Sequence, residues 1–140
     1  MNLNERQRII LLGVLEDQRH LVDMPTDVGS RIDRGRQRII ARNAQAGLVP
    51  MNLAGWLGRA PTNSEHVLFH REYLRLEDMG LIERCNLTGG RRTTHLRLTP
   101  DGQCMAEELL AEEYGPDIDD GIDWTNVEFE TIEMPLESDE

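Results

Sequence analysis

Seven polar side chains stand out in this 140-residue sequence by type and spacing. Asn63, His66, His70, Arg71 and Arg75 recur within one stretch, and Arg91 with Arg92 follows it. A guanidinium is a planar fork of N–H donors that fits a phosphate, or the O6 and N7 edge of guanine, through two parallel bonds. Imidazole and carboxamide groups add directional donors and acceptors. A set of this kind suits recognition of an anionic polymer rather than making and breaking bonds. No nucleophile elbow, phosphate-binding glycine loop or paired Cys-His signature accompanies it, so an enzyme is not expected.

The elements that must hold these groups can be read outward from them. Thr62 and Glu65 fit a capping box, which satisfies the first free amides of a helix. Phe69, Tyr73 and Leu76 recur at spacings of four and three, so they share one face. Gly80 ends the run as a left-handed residue past a helix C-terminus. The pattern predicts a helix over residues 63–79, with His66, His70 and Arg71 away from its apolar face. Such a polar face is either plainly solvated or able to reach into a groove.

Residues 81–87 form a short, partly apolar run, and Thr88-Gly89-Gly90 marks a turn. Thr94, Leu96 and Leu98 then alternate with His95 and Arg97, the period of a half-buried strand. Arg91 and Arg92 therefore sit at a hairpin tip, outside any core. That position suits phosphate contact or minor-groove insertion, or it serves solubility alone. Thr99-Pro100-Asp101 opens a further helix, with threonine as cap, proline at the first position and aspartate at the positive end of the dipole.

Leu76-Glu77-Asp78-Met79-Gly80-Leu81-Ile82-Glu83-Arg84, followed by Gly90-Arg91-Arg92 and Leu96-Arg97-Leu98-Thr99-Pro100-Asp101-Gly102, resembles the multiple-antibiotic-resistance (MarR) class of winged helix-turn-helix regulators. Leu53-Ala54, with Leu57-Gly58, is similar to the first helix of that family's helix-turn-helix. The resemblance spans residues 48–110. The family's wing carries Asp-x-Arg; here Arg92 matches the arginine and Gly90 stands where the aspartate would be. The interval from Gly58 to Phe69 is also longer than the family's tight turn. The resemblance implies a dimeric DNA-binding repressor or activator of the broad winged-helix class.

Charge is strongly polarised along the chain. Fifteen basic residues, all arginine, stand against 26 acids, for a net charge of −11. Residues 107–140 hold 14 of those acids and no base, which leaves 15 arginines, 12 acids and a net +3 over the first 106 residues. An acidic total is therefore compatible with a module that binds a polyanion. Cys85 and Cys104 lie 19 residues apart without metal-site company, as expected of thiols in an intracellular chain. No apolar run approaches the length of a membrane span, and the first residues are not a signal peptide. A cytoplasmic protein with one modest core is expected.

Residues 5–22 predict a helix. Ile9, Ile10, Leu11, Leu12, Val14 and Leu15, continued by Leu21 and Val22, form a patch too broad for a one-sided surface helix. It belongs in the chain's own core or, with Leu109 and Leu110, against a second copy. Residues 30–46 predict another helix, capped by Ser30. On it Arg31, Arg34, Arg38 and Arg42 form one stripe, while Ile32, Ile39 and Ile40 turn elsewhere. The stripe follows a phosphate backbone, pairs with the acidic C-terminal segment, or faces solvent. Residues 47–50 read as a short strand and residues 51–58 as a helix, with Trp56 in or beside the core. Pro61 stops that helix.

The last helix is expected to end near Tyr114, at Gly115-Pro116. Beyond it Ile118, Ile122, Trp124, Val127, Phe129, Ile132, Met134 and Leu136 are interleaved with acids, and Val127-Glu128-Phe129-Glu130 alternates like a strand. Such an arm packs on its own domain or on a dimer mate, adds a strand to another protein's sheet, or competes with DNA for the arginines. Asp117-Ile118-Asp119-Asp120-Gly121 hints at a calcium loop, but its glycine falls one position early. His66 and His70, at i and i+4, could share a zinc ion with Cys85 or His95. Neither metal reading is adopted, and no metal or cofactor is expected.

These readings combine into an α+β, mostly helical protein. Residues 1–114 form a winged helix-turn-helix domain with an extra N-terminal helix region, and residues 115–140 an acidic C-terminal arm. The expected function is sequence-specific binding of double-stranded DNA as a transcriptional regulator, in homodimeric form. The helix over residues 63–79 would enter the major groove, with Asn63, His66 and His70 along it, Arg71 on guanine and Arg75 on the backbone. Arg91 and Arg92 would touch phosphates or the minor groove from the wing. The alternative is a winged-helix protein–protein interaction module that uses the acidic, apolar arm and does not bind DNA directly.

Overall fold

A side chain caps the start of four of the helices, and this fixes where they begin. The computed structural model describes residues 2–119. Its elements are α1 Glu5–Val22, α2 Arg31–Gln45, β1 Val49–Pro50, α3 Leu53–Leu57, α4 Asn63–Asp78, β2 Ile82–Cys85, β3 His95–Leu98 and α5 Pro100–Asp119. Asn4 caps α1 with Gln7, Ser30 caps α2 with Asp33, and Thr62 caps α4 with Glu65, each in a reciprocal capping box. The Thr99 hydroxyl accepts from the Gly102 amide at 2.9 Å at the head of α5. Of these boxes only Thr62–Glu65 was expected in full.

The strands form one antiparallel sheet in the order β1-β3-β2. Register pairs Val49 with Leu96, and Ile82 with Leu98. Glu83 lies opposite Arg97, and their side chains form a salt bridge. Pro50 is tolerated because β1 is an edge strand, where a missing N–H disrupts no ladder. The class is thus α+β and mostly helical, with a small sheet. Among the described residues, no helix is long and apolar enough to cross a membrane.

α1 is the centre of the core. Ile10, Leu11, Val14 and Leu15 are fully buried, and the helix packs on α2, α3, α4, β1 and β3. Opposing it are Phe69, Tyr73 and Leu76 from α4 and Val49, Ile82 and Leu96 from the sheet, all buried. Ile10, Leu11, Val14 and Leu15 of the broad apolar patch thus find their partners within the chain, while Ile9, Leu12, Leu21 and Val22 are half-buried. Helix α3 is pinned to α1 by Trp56, whose indole lies against Gly13, where a Cβ would stand 2.5 Å from Cδ1. The Trp56 Nε1–H donates to Asp17 at 2.8 Å, and the Asn52 amide donates to the same oxygen at 3.1 Å.

α5 continues through Gly115-Pro116 to Asp119 instead of ending near Tyr114. A proline deletes one helical hydrogen bond, which is a local loss; helical backbone on both sides can carry the turn. The chain divides into two units, residues 1–107 and 108–140. The strand-like alternation at residues 127–130, and Asp120 and Gly121 of the calcium reading, lie outside the described residues.

Candidate nucleic-acid interface

A concave groove of about 880 Å³ opens between the start of α3, the stretch of α4 from Asn63 to Tyr73 and the β2–β3 hairpin. Six of the seven residues singled out from sequence line it: Asn63, His66, His70 and Arg71 from α4, and Arg91 and Arg92 from the hairpin. All six are exposed. They meet because burial of Phe69, Tyr73 and Leu76 turns the polar face of α4 outward, while Arg84, bonded to Glu77 and Thr93, ties the hairpin to the end of that helix. Arg84 also lines the groove, and none of its lining residues is acidic. The surface is therefore a cationic trough with an apolar floor that includes Leu53 and Tyr73.

Arg75 does not line the groove. Its Nη1 donates to Glu72 at 2.8 Å, and the other oxygen of that buried carboxylate accepts from the Gln7 amide at 2.9 Å. Arg75 therefore serves a link between α4 and α1 through Glu72; its side chain is exposed but lies outside the groove lining. Periodicity alone places positions 71 and 75 one turn apart on the same face. What it misses is the pull of the Glu72 carboxylate, whose partner on α1 is 65 residues away in sequence.

The hairpin tip is organised by Asn86. Its Oδ1 accepts from the amides of Thr88 at 2.7 Å and Gly90 at 3.0 Å, and from the Thr88 hydroxyl at 2.8 Å. Its Nδ2 donates to the Arg92 carbonyl. Gly89 takes the left-handed turn position at φ 86°. Gly90, in the place of the resembled family's aspartate, thus offers its amide to Asn86, and the arginine pair is presented by the backbone. The sequence signal was an asparagine opening a turn, a common side-chain-to-backbone motif.

Other side chains that position the groove were also missed. Arg84 Nε donates to Glu77 at 2.8 Å and Nη1 to the Thr93 hydroxyl at 3.3 Å, tying the end of α4 to both arms of the hairpin. Arg59 grips Glu65, with Nη1 at 2.7 Å from Oε1. That guanidinium, then the Thr62 amide, holds the Glu65 carboxyl down at about 2. Tyr73 is buried under the groove, and among the described residues its hydroxyl is the one buried side-chain polar atom without a hydrogen-bond partner. Burial pushes its ionisation up to about 12. Val67, an apolar residue in the groove wall, is 54% exposed.

Among the described residues, no group of three or more His, Cys, Asp or Glu side chains could hold a metal ion, so His66 and His70 lack the third ligand that a shared zinc ion requires. Cys85 and Cys104 are free thiols. On α2, Arg31, Arg38 and Arg42 are exposed, and Ile32 and Ile39 point outward at 69% and 51% exposure. Comparison with protein-family models, curated proteins and solved structures finds no match.

Proposed function

We propose that this chain binds double-stranded DNA in a sequence-specific manner, as a transcriptional regulator built on a winged helix-turn-helix. In this reading α3 and α4 are the helix-turn-helix, α4 enters the major groove, and the β2–β3 hairpin is the wing. One observation carries the proposal: side chains chosen for polyanion recognition converge on a single groove without an acidic lining residue. Arg71 reads guanine through its fork, Asn63, His66 and His70 add polar contacts, and Arg91 with Arg92 meets phosphates or the minor groove. The resemblance to MarR-type regulators along residues 48–110 points the same way. One helix and one wing cover few base pairs, so the proposal includes a homodimer reading two half-sites. The role is binding, not catalysis.

The test is fluorescence anisotropy of the full chain on random-sequence duplex across a salt series. Binding should weaken steeply with salt, and an Arg91→Ala/Arg92→Ala variant should lower the logarithmic slope by roughly 2. No duplex binding at low salt would sink the proposal.

The outward Ile32 and Ile39 on α2 favour a second reading, a protein-interaction module. Arg31, Arg38 and Arg42 beside them suit an acidic partner segment with apolar residues. Under this reading an Ile32→Ser/Ile39→Ser variant loses a protein partner, and the Arg91/Arg92 variant changes nothing.

A further inference from the structure

Val67 is a branched apolar side chain left 54% exposed in the first half of α4. It lies on the groove wall with Asn63, His70 and Arg71. Residues three and four apart on a helix are surface neighbours, so these four share one face. A single exposed valine is ordinary on a protein surface; what sets Val67 apart is its place, as the apolar member of an α4 face that lines the groove among Asn63, His70 and Arg71.

The major-groove edges of the base pairs offer one apolar group, the 5-methyl of thymine. Arg71 follows Val67 by one helical turn, which puts their Cβ atoms about 5–6 Å apart. That distance spans one to two base-pair rises of roughly 3.4 Å. Resting on the DNA-binding reading above, we infer that Val67 packs on the methyl group of a thymine that lies one or two base pairs from the guanine taken by Arg71. Val67 is then a specificity-determining residue, and the target contains a thymine–guanine pair of positions at that spacing. The neighbouring arginine fixes the register of α4 on the duplex, and the valine distinguishes thymine from cytosine, which lacks the methyl.

The experiment uses the full chain. Sites are selected from a randomised duplex pool, and each thymine of the selected site is then replaced singly by deoxyuridine, which lacks only the methyl group. One replacement, within two base pairs of a guanine, should weaken binding about fourfold, the value of one buried methyl-sized group. The Val67→Ser variant, which removes both methyl groups, should bind the thymine and uracil duplexes equally. Its thermal melting serves as the folding control, and Val67→Asn provides a second variant without a methyl. The inference is overturned if every uracil is tolerated in a site still bound selectively, or if Val67→Ser and Val67→Asn both keep the discrimination. A pool that yields no preferred sequence overturns the DNA-binding reading and this inference with it.

Discussion

The α-carbon of Gly102 faces the main-chain carbonyl of Leu81 so closely that a Cβ there would lie 1.8 Å from the carbonyl oxygen. The two residues belong to one junction. The Thr99 amide donates to the same Leu81 carbonyl at 3.1 Å, and the Thr99 hydroxyl donates to the Gly80 carbonyl at 2.6 Å. Gly80 itself adopts a left-handed φ of 77° as α4 ends. This junction ties the end of α4 to the start of α5, and so helps set how α4 is presented to the groove.

Gly102→Ala should therefore be among the most destabilising single changes in the chain. Backbone cannot move aside as a flexible side chain can, so the cost is about 3 kcal/mol or more. Gly35→Ala provides the contrast. Gly35 lies inside α2 with open space where its Cβ would stand, so alanine should stabilise by about 0.5–1 kcal/mol. Urea denaturation of both variants checks the pair; similar losses in each would contradict the contact.

Tyr73 gives a prediction of opposite sign. Its hydroxyl is buried without a partner among the described residues, and an unsatisfied polar group costs roughly 1–3 kcal/mol relative to a satisfied one. Tyr73→Phe should be neutral or stabilising. The pH dependence follows from the raised ionisation, about 12 in the fold against an ordinary phenol value of 10.0. The folded chain keeps the phenolic proton longer than the unfolded chain does. This contribution is whole below pH 10 and is lost as pH rises from 10 to about 12. In Tyr73→Phe that part of the alkaline decline should disappear. Stability measured by denaturant at pH 8, 10 and 11.5 would expose a tyrosine that behaves as an ordinary exposed one.

Arg75→Ala should lower stability and leave DNA binding alone. Arg75 is bonded to Glu72, and Glu72 to Gln7, so its removal strips a charged partner from a buried carboxylate. Hydrogen bonds to charged groups contribute about 1.5–3 kcal/mol, and this one lies at the lower end because the Arg75 side chain is 60% exposed. Arg71→Ala should do the reverse, costing little stability and weakening duplex affinity. Equal losses of affinity in the two variants would return Arg75 to the interface.

These contrasts mark what was legible from residue order. Capping residues, glycine stops and alternation are local signals, and they placed α4, both hairpin strands and the head of α5 to within a residue or two. The exposed set Asn63, His66, His70, Arg71, Arg91 and Arg92 followed from the same signals. Long-range pairing was illegible. Nothing near Arg75 announces Gln7, nothing near Gly102 announces the Leu81 carbonyl, and Trp56 gives no hint of Gly13. Which residues of the broad α1 patch enter the core, Ile10, Leu11, Val14 and Leu15, also needed the fold. Ile32 and Ile39 reversed the usual rule by facing outward, because Ala41 and Ala44 are the buried residues of α2.

Glu65 sets the last expectation, which turns on acid. The Arg59 guanidinium and the Thr62 amide hold its carboxyl at about 2, against an ordinary glutamate value of 4.5. A depressed carboxyl contributes stability that is present above the unfolded value and is lost as pH falls through the folded one. The contribution is complete above pH 4.5 and fades toward about pH 2. Glu65→Gln should thus melt below the parent chain at pH 7, with the gap closing as pH approaches 2. Because the pair is open to solvent, high salt should narrow the gap at pH 7 as well. The glutamine retains the reciprocal cap to Thr62, so the remaining difference reports the Arg59 contact. A gap of the same size at pH 7 and pH 2.5 would show that Glu65 acts only as a cap, and that Arg59 does not help to hold the first turn of α4 in place.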